Sequence, residues 1–400
     1  MNLKNDFKKY ICQTSAEPMG LEIERAEGPY LFTKSGEKYL DLLAGIGVAN
    51  IGHGRNEIIQ AIQKQAAAYL HPMVYGEVVQ EQQVLYARKL AEVLPGKIDN
   101  IFFTNSGAEA IEGTLKTARK FTGRQEIFSF SGAYHGDTFG ALSLQDNPRY
   151  RQAFEPTVPQ VASLPWNDIA CLDQISENTA AVILEPIQAE GGVRVPSREF
   201  MHALRRRCTE TGALLIADEV MTGFGRTGAL FAVQHFDVEP DLIALAKALG
   251  GGMPLGAFAG PQKILNTLSE NPPLAHVTTF GGHPVCCAAG LAGLEILLNE
   301  KLSERAKTIG DYFLSNLHEL VSENKNLIEV RGLGCLIGIV FKNAEKTQEF
   351  ARKCMDAKII VGWTLFHPNI IRLAPPLILS DDELKLAFEK MRRILNDLQD

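Results

Sequence analysis

A lysine in the middle of an apolar run is the first feature of this sequence that indicates chemistry. Lys247 lies within residues 241–252, DLIALAKALGGG. Burying an ammonium group costs free energy unless the group is paired or gives up its charge. A neutral lysine is a nucleophilic amine, the form that builds a Schiff base with a carbonyl compound. Lys247 is therefore a candidate for covalent catalysis.

Asp218 ends a second apolar run, ALLIAD at residues 213–218. An acid at the end of a strand and a buried lysine are the two protein groups that pyridoxal phosphate requires. The lysine holds its aldehyde, and the acid keeps its pyridine nitrogen protonated so that the ring can withdraw electrons. Each residue also has a structural alternative, because Lys247 could extend its ammonium to the surface and Asp218 could cap a helix.

A phosphate site is indicated by residues 104–110, TNSGAEA, which follow one apolar run and open a helical pattern. Free backbone N–H groups and the positive end of the helix dipole attract anions, and Ser106 adds a hydroxyl. Alone, Ser106 is better explained as a helix cap. Together with Lys247 and Asp218 it matches one ligand, since phosphate, ring nitrogen and aldehyde are separate points on that ligand.

The elements that position these residues are strands alternating with helices. Buried strands are predicted at residues 101–103, 126–130, 181–184 and 214–217, and helices at 108–121 and 198–211. This alternation is typical of a mainly parallel sheet covered on both faces. Ligands bind at the carboxyl edge of such a sheet, where Ser106, Glu185 and Asp218 are then expected.

The C-terminal part reads as a second, α+β unit. Residues 290–325 are predicted to form one long amphipathic helix that links the two units. Strands are predicted at 335–340 and 369–373. A final helix is predicted from Asp381 to Leu398, with Ser380 as its N-cap.

Composition restricts the possible functions. The 400 residues are 46% hydrophobic and 22% charged, and the net charge is −7, which argues against a nucleic-acid partner or a basic membrane patch. The seven cysteines form no Cys-x-x-Cys pair, so we expect a reducing cytoplasm and neither a disulfide framework nor a metal site. The N-terminus has no apolar signal region, and no stretch reaches membrane-spanning length.

A series of short motifs resembles the class III (subgroup II, ornithine and omega type) pyridoxal-phosphate-dependent aminotransferases over nearly the whole chain. The motifs are GPYL at 28–31, GEKYLD at 36–41, GHG at 52–54, NSGAEA at 105–110, YHG at 134–136, EPIQ at 185–188, EGG at 190–192, DEVMTGFGRTG at 218–228, TTFGGHP at 278–284 and RLAPPL at 372–377.

The resemblance implies a fold and a domain division. The fold is the α/β fold of type I pyridoxal-phosphate-dependent transferases, with a mainly parallel seven-stranded sheet between helices and a smaller α+β domain. Residues 1–50 are predicted to join the small domain, residues 51–290 to form the large cofactor-binding domain, and residues 291–400 to form the small domain.

The resemblance also implies how the cofactor is bound. Lys247 matches the Schiff-base lysine that moves the substrate proton, and Asp218 matches the pyridinium partner. Ser106, Gly107 and Ala108 match the phosphate-binding turn.

Four further residues match the surroundings of the cofactor. Tyr134 and Val220 match the residues on the two faces of the pyridine ring, and His135 is predicted to bind the cofactor beside them. Thr279 matches a threonine that reaches the phosphate in the neighbouring subunit, so a homodimer is expected.

For the substrate, Arg372 matches the arginine that binds the carboxylate of a 2-oxo acid in a bidentate manner. Glu190 matches a glutamate that pairs with this arginine when an amine-ended substrate is bound. Ile46 and Trp363 are further candidates for the substrate pocket, although Trp363 and the nearby Phe366 could equally belong to the core of the small domain.

Three positions depart from the ornithine and acetylornithine branches. Met221 replaces a glutamine and cannot donate its hydrogen bond. Asp137 replaces an arginine that those branches use on an acid group of the substrate. Ile46 replaces a tyrosine of the ornithine enzymes. These departures favour an omega-aminotransferase that moves an amino group from an omega-amino acid or amine to a 2-oxo acid, pyruvate or 2-oxoglutarate, by a ping-pong mechanism.

Three alternatives share the same scaffold. The first is an acetylornithine or ornithine type of aminotransferase. The second is a racemase or aminomutase, which needs no separate amino acceptor. The third is a non-enzymatic binding protein, against which the intact Lys247, Asp218 and Thr279 argue.

Overall fold

A computed structural model describes residues 3–398 of the chain. Its helices are α1 Leu3–Tyr10, α2 Ala44–Gly47, α3 Asn56–Ala68, α4 Glu81–Val93, α5 Gly107–Thr122, α6 Phe139–Ser143, α7 Pro148–Arg151, α8 Arg198–Thr211, α9 Gln262–Leu265, α10 Pro284–Asn299, α11 Leu302–Glu323, α12 Ala344–Asp356 and α13 Asp381–Asn396. Its strands are β1 Ile23–Glu27, β2 Tyr30–Thr33, β3 Lys38–Asp41, β4 Asn100–Thr104, β5 Glu126–Phe130, β6 Val161–Leu164, β7 Thr179–Leu184, β8 Leu214–Asp218, β9 Leu242–Leu245, β10 Gly256–Gly260, β11 Leu327–Leu333, β12 Leu336–Phe341, β13 Ile359–Ile360, β14 Gly362–Trp363 and β15 Ile370–Leu373.

A seven-stranded sheet forms the centre of the molecule, in the order β4-β10-β9-β8-β7-β5-β6. Strand β10 runs antiparallel to both of its neighbours, and the other pairs are parallel. Every residue of β7, β8 and β9 is buried, because helices cover both faces of the sheet. The predicted mainly parallel sheet is confirmed. The four predicted strands are β4, β5, β7 and β8 of this sheet, and the two predicted helices are α5 and α8.

The carboxyl edge of this sheet gathers the residues that the sequence singled out. Strand β4 leads into Ser106, β7 into Glu185 and β9 into Lys247, while β8 ends on Asp218. Because parallel strands end on the same side, residues far apart in sequence meet at this edge.

Two smaller sheets lie outside the central one. Strands β1, β2, β3 and β13 form one of them, and strands β11, β12, β15 and β14 form the other. Leu40 of β3 pairs in parallel with Ile359 of β13, so the N-terminal segment is hydrogen bonded to the C-terminal part of the chain. This pairing is expected if residues 1–50 join the small C-terminal domain, as predicted. The boundaries at residues 50 and 290 stay a prediction, and residues 1–2 and 399–400 lie outside the described part of the chain.

The single helix predicted for residues 290–325 is wrong. Two helices, α10 and α11, replace it, and the chain breaks at Lys301, whose φ of 51° is left-handed. Helix α10 is buried on most of its surface against α3 and α4, whereas α11 is amphipathic and packs on β11. The two helices therefore cover different surfaces, which one straight helix cannot do.

The C-terminal helix begins as predicted. Ser380 accepts a hydrogen bond from the backbone N–H of Glu383, and the Glu383 side chain accepts one from the backbone N–H of Ser380. Among residues 3–398, no helix combines the length and the apolar character needed to cross a membrane.

Candidate active site

A cavity of about 1160 Å³ opens at the carboxyl edge of the seven-stranded sheet. Twelve of the thirteen residues predicted for the site line it, namely Ile46, Ser106, Gly107, Ala108, Tyr134, His135, Glu190, Asp218, Val220, Lys247, Trp363 and Arg372. The remaining one, Thr279, is exposed and is not among the lining residues. That placement agrees with its expected role toward a neighbouring subunit but does not test the role.

Lys247 lies two residues after β9, at the start of a short 3-10 turn, with its φ at 51°. A non-glycine residue in this region is strained, and such strain often marks functional sites. Burial lowers the pKa of its amine, while the nearby Asp218 carboxylate opposes the shift. The lowered pKa favours the neutral, nucleophilic form of the amine.

Asp218 is buried at the end of β8 and is held from two directions. Its Oδ1 accepts a hydrogen bond from the backbone N–H of Val220 at 2.9 Å, and its Oδ2 lies 2.7 Å from Nδ1 of His135. Nε2 of His135 is buried without a hydrogen-bond partner in the described part of the chain. The carboxylate is thus fixed beside the cavity by the backbone N–H of Val220 and by the ring of His135.

An anion site is formed by the start of α5. Ser106 caps this 16-residue helix by accepting from the backbone N–H of Glu109 at 3.2 Å. The N–H groups of Gly107 and Ala108 have no carbonyl partner within the helix. A Cβ on Gly107 would lie 3.0 Å from Cγ1 of Val220, so the close approach of this turn to the cavity wall favours glycine.

Tyr134 forms one wall of the cavity. Its hydroxyl donates to Oδ2 of Asp137 at 2.7 Å, and its backbone N–H donates to Oε1 of Glu185 at 3.0 Å. Burial and the Asp137 carboxylate raise the pKa of the Tyr134 hydroxyl, which therefore stays protonated. Burial also raises the pKa of Glu185, to about 7.

Arg372 and Glu190 form an ion pair at the opposite wall, between Nη1 of Arg372 and Oε1 of Glu190. The second oxygen of Glu190 accepts from the backbone N–H of Leu365 at 2.7 Å. Nε of Arg372 is buried and has no hydrogen-bond partner among residues 3–398. Glu190 is thus the side-chain partner of this guanidinium in the described part of the chain.

The outer part of the cavity is aromatic and apolar. Trp363 is 51% exposed and lines the cavity. The alternative, that it belongs to the core of the small domain, is therefore wrong. Phe366 does not line the cavity, but its ring centroid lies 6.3 Å from that of Tyr134. Ile46 has a φ of 63°, a strained value for a β-branched residue.

Some residues that line the cavity were not predicted from the sequence. His71, Met73 and Tyr75 in the segment before α4 are exposed and do not line the cavity. Thr14 and Met253 line it without having been predicted. Met253 directly follows the GGG run after Lys247, a signal that could have indicated it, whereas nothing in the sequence around Thr14 does so.

The donor set fits pyridoxal phosphate. A capped helix start can hold the phosphate, the fixed Asp218 carboxylate can pair with a pyridinium nitrogen, and the amine of Lys247 can bind the aldehyde. All three line one cavity. Among residues 3–398 there is no group of three or more histidine, cysteine, aspartate or glutamate side chains arranged to hold a metal ion.

Comparison with known proteins agrees with this chemistry. Residues 11–395 match the family model described as aminotransferase class-III. A putrescine aminotransferase from Pectobacterium atrosepticum is 39% identical, with 98% of this chain and 86% of that protein covered.

Solved structures of aminotransferases are similar over almost the whole chain. An omega-transaminase from Thermomicrobium roseum has a TM-score of 0.91 and 32% identity, with 99% of this chain and 98% of that one covered. An ornithine aminotransferase from Toxoplasma gondii, described with pyridoxal phosphate at its active site, has a TM-score of 0.92 and 28% identity, with 99% and 94% covered. The chain therefore belongs to the class III aminotransferases and is a pyridoxal-phosphate-dependent transaminase.

Proposed function

We propose that this transaminase takes the amino group of an omega-amino acid or an amine and passes it to a 2-oxo acid, pyruvate or 2-oxoglutarate, by a ping-pong mechanism. The observation that carries the proposal is one cavity with a nucleophilic lysine and a paired arginine. Lys247 acts at the amino group of the donor, and Arg372, which is paired with Glu190, binds the carboxylate of the 2-oxo acid. The relatives named for putrescine and as an omega-transaminase support an amine-ended donor.

The cofactor is held at several points. Ser106, Gly107 and Ala108 would hold its phosphate, while Tyr134 and Val220 would lie against its ring. Asp218, kept in place by His135, would pair with its ring nitrogen. Bound pyridoxal phosphate supplies an aldehyde that takes up an amino group and a ring that withdraws electrons from the neighbouring carbon.

Lys247 moves the proton. Its lowered pKa favours the neutral amine, so Nζ could accept the proton of the donor carbon and hold it beside the bound cofactor. The carboxylate of Asp218 would stabilise a proton on the ring nitrogen of the bound cofactor, which makes electron withdrawal stronger. The buried wall around both residues limits water, so these charges act in a low-dielectric site.

Arg372 and Glu190 allow one cavity to serve two substrates. When an amine-ended donor binds, Glu190 neutralises Arg372, and no buried charge is left unpaired. When a 2-oxo acid binds, its carboxylate takes the place of Glu190 at the guanidinium of Arg372. Glu190 keeps its hydrogen bond to the backbone N–H of Leu365, and this bond limits how far its side chain moves.

We further propose a cytoplasmic homodimer. Thr279 lies in an exposed segment with Val277 and Phe280, which are 49% and 54% exposed. A second copy placed over this segment would bring Thr279 to the phosphate of its own cofactor. The seven cysteines are free, and six of them are buried, which supports a reducing compartment.

The test is a single-turnover absorbance titration of the purified holoenzyme. We expect one class of donor, from a panel of ornithine, 4-aminobutyrate, lysine, diamines and a benzylic amine, to convert the aldehyde form of the cofactor to its amine form. Pyruvate or 2-oxoglutarate then restores the first spectrum. Lys247→Ala should bind cofactor without turnover, whereas Lys263→Ala, at an exposed lysine of α9, should behave as wild type. If ligands perturb the spectrum but no donor converts it, the isomerase alternative replaces this proposal.

A further inference from the structure

The turn that carries Lys247 is strained, so other parts of the molecule must hold it in place. Lys247 begins a 3-10 turn that ends at Gly250, and its φ of 51° lies in the left-handed region. A residue keeps such a conformation only where its surroundings hold it there. The contacts of this turn therefore decide where the amine of Lys247 lies.

Tyr86 of helix α4 supplies one of these contacts. Its side chain is completely buried, and its hydroxyl donates a hydrogen bond to the backbone oxygen of Leu249 at 2.6 Å. Burial raises the pKa of this hydroxyl well above its usual value. The hydroxyl therefore keeps its proton and remains a hydrogen-bond donor throughout the neutral pH range.

The backbone oxygen of Leu249 depends on Tyr86 for its hydrogen bond. The oxygens of Ala248 and Gly250 accept from backbone N–H groups that follow in the chain, but no backbone N–H within residues 3–398 donates to that of Leu249. Leu249 is also fully buried. Because a buried carbonyl without a partner costs free energy, loss of the Tyr86 hydroxyl would favour a rotation of this peptide group toward another donor.

Helix α10 packs directly on the same turn. A Cβ on Gly290 would overlap the backbone oxygen of Leu249 and would lie 2.6 Å from Cε1 of Tyr86. A Cβ on Gly251, whose φ of 58° is also left-handed, would overlap the backbone oxygen of Ala289. Glycine at position 290 thus leaves room for the carbonyl of Leu249 to meet the hydroxyl of Tyr86, and a larger residue would push them apart.

The ring of Tyr86 also contacts the strand that leads to the proposed phosphate site. It stacks on Phe103 of β4 with a centroid distance of 5.7 Å and an interplanar angle of 23°. Ser106 follows Phe103 shortly after this strand ends. Tyr86 itself does not line the cavity, so it can influence the site only through these neighbours.

We propose that Tyr86 is a positioning residue for Lys247. Its hydroxyl holds the carbonyl of Leu249 and so keeps the strained turn in the geometry that places the amine of Lys247 in the cavity. The inference rests on the role proposed above for Lys247 and adds the contact that orients it. Without this hydrogen bond the turn relaxes toward an ordinary backbone conformation, and the amine leaves its buried position.

The first test follows the amine of Lys247 in the full-length apoenzyme. Competitive acetylation over a series of pH values, read by mass spectrometry of the peptide that contains Lys247, gives the pH midpoint of this one amine. Burial lowers its pKa in the wild type, so a displaced amine should titrate at higher pH. We expect Tyr86→Phe to move the midpoint upward, with the neutral fraction at pH 7 falling about 3- to 10-fold.

Three further variants separate positioning from a general loss of stability. Gly290→Ala should move the midpoint in the same direction, because its methyl group pushes the Leu249 carbonyl away from Tyr86, and it tests the same contact if Tyr86→Phe does not fold. Leu90→Ala leaves a gap on the same buried face of α4 but removes no hydrogen bond, so the midpoint should not change. Tyr312→Phe, the same substitution on α11, should behave as wild type.

The second test uses the holoenzyme in the single-turnover assay. Because Tyr86 does not line the cavity, the half-saturating donor concentration in Tyr86→Phe should stay near that of the wild type. The rate constant of the donor half-reaction should fall about 10-fold, since even a small misplacement of a reacting group is costly. Partial unfolding would lower the amplitude of the absorbance change and leave this rate constant as it is.

The inference and the proposed function fail in different ways. An unchanged midpoint for Lys247 and an unchanged rate constant in Tyr86→Phe would overturn the positioning role. Equal effects of Leu90→Ala would also overturn it, because general destabilisation would then explain both results. If Lys247→Ala retained turnover, the proposed function would be wrong, and acetylation of the apoenzyme would still decide whether Tyr86 positions Lys247.

Discussion

His135 donates a hydrogen bond from Nδ1 to Oδ2 of Asp218 at 2.7 Å, and both side chains are buried. The direction follows from chemistry, because an ionised carboxylate only accepts. The bond fixes which oxygen of Asp218 is used within the protein. It also sets the orientation of the carboxylate toward the cavity. His135 is thus a positioning residue for the proposed partner of the ring nitrogen.

Removing this bond should weaken cofactor binding. His135→Phe keeps a ring of similar shape but loses Nδ1, so Asp218 is held by the Val220 N–H alone. We expect the cofactor dissociation constant to rise about 10- to 100-fold, since a hydrogen bond to a buried charge is worth roughly 1.5–3 kcal/mol. The measurement is a spectroscopic titration of the apoenzyme. His318→Gln, at an exposed position of α11, is the control, and unchanged affinity in His135→Phe would contradict the positioning role.

Asp218→Asn should affect chemistry more than binding. An amide cannot stabilise a proton on the ring nitrogen, so electron withdrawal weakens while the phosphate and aldehyde contacts remain. We expect the single-turnover rate constant to fall on the order of 10³-fold, as for the loss of a preorganised electrostatic contact. Stopped-flow measurement of the donor half-reaction checks this. A rate constant within a few-fold of wild type would mean that another group holds the ring nitrogen.

A mixed dimer tests the proposed role of Thr279. Lys247→Ala removes the catalytic amine, and Thr279→Asp places a carboxylate where the neighbouring phosphate is expected, so each variant alone should be inactive or weak. When the two are mixed and allowed to exchange subunits, each mixed dimer contains one site with both residues intact. We therefore expect activity to return on mixing. Lack of recovery, with subunit exchange shown by mass spectrometry, would place Thr279 in the site of its own chain.

Arg226 should be important for stability. Its guanidinium is completely buried, and it donates to the backbone oxygens of Cys335 and Pro375 and to Oδ1 of Asn50, with no carboxylate among residues 3–398 as a salt-bridge partner. Burial lowers its pKa to about 10. The side chain thus ties together three distant segments of the chain, one of them three residues after Arg372.

Arg226→Met should leave these acceptors buried and unpaired. We expect a loss of roughly 2–5 kcal/mol, read from urea unfolding midpoints, with Arg226→Lys less affected because its ammonium can still donate. Arg206→Met, at an exposed arginine of α8, is the matched control and should change the midpoint little. An unchanged midpoint for Arg226→Met would show that the three contacts contribute no net stability.

The sequence alone predicted those elements whose local residue pattern agrees with the tertiary structure. Apolar runs predicted β4, β5, β7 and β8, and the polar residues at their ends, such as Asp218, met at one edge because parallel strands end on the same side. The N-cap at Ser380 followed from a local motif as well. These features depend on residues close together in the chain.

The features that were missed depend on contacts between distant residues. His135 and Asp218 are 83 positions apart, so their hydrogen bond left no local signal. The break at Lys301 interrupts a continuous helical pattern, because α10 and α11 cover different surfaces. Thr14 lines the cavity because of the route that the N-terminal segment takes across the molecule. The local sequence around Thr14 gives no indication of that route.

Stability should depend on pH through Glu219, which is buried behind Asp218 and accepts from the hydroxyl of Thr222 and the backbone N–H of Val233. Burial raises its pKa from 4.5 to about 7. Native Glu219 therefore holds a proton that the unfolded chain has lost between about pH 4.5 and 7, and its contribution to stability is lost as pH rises through this window. Glu219→Gln should remove that loss, because an amide does not titrate and can still accept from Val233.

We expect the free energy of unfolding of Glu219→Gln, relative to that of the wild type, to be roughly 1–3 kcal/mol higher at pH 8 than at pH 5. Urea unfolding at both pH values measures this difference. Glu319→Gln, at an exposed position of α11, should show the wild-type pH dependence, and an identical dependence in Glu219→Gln would mean that Glu219 is ionised in the native protein.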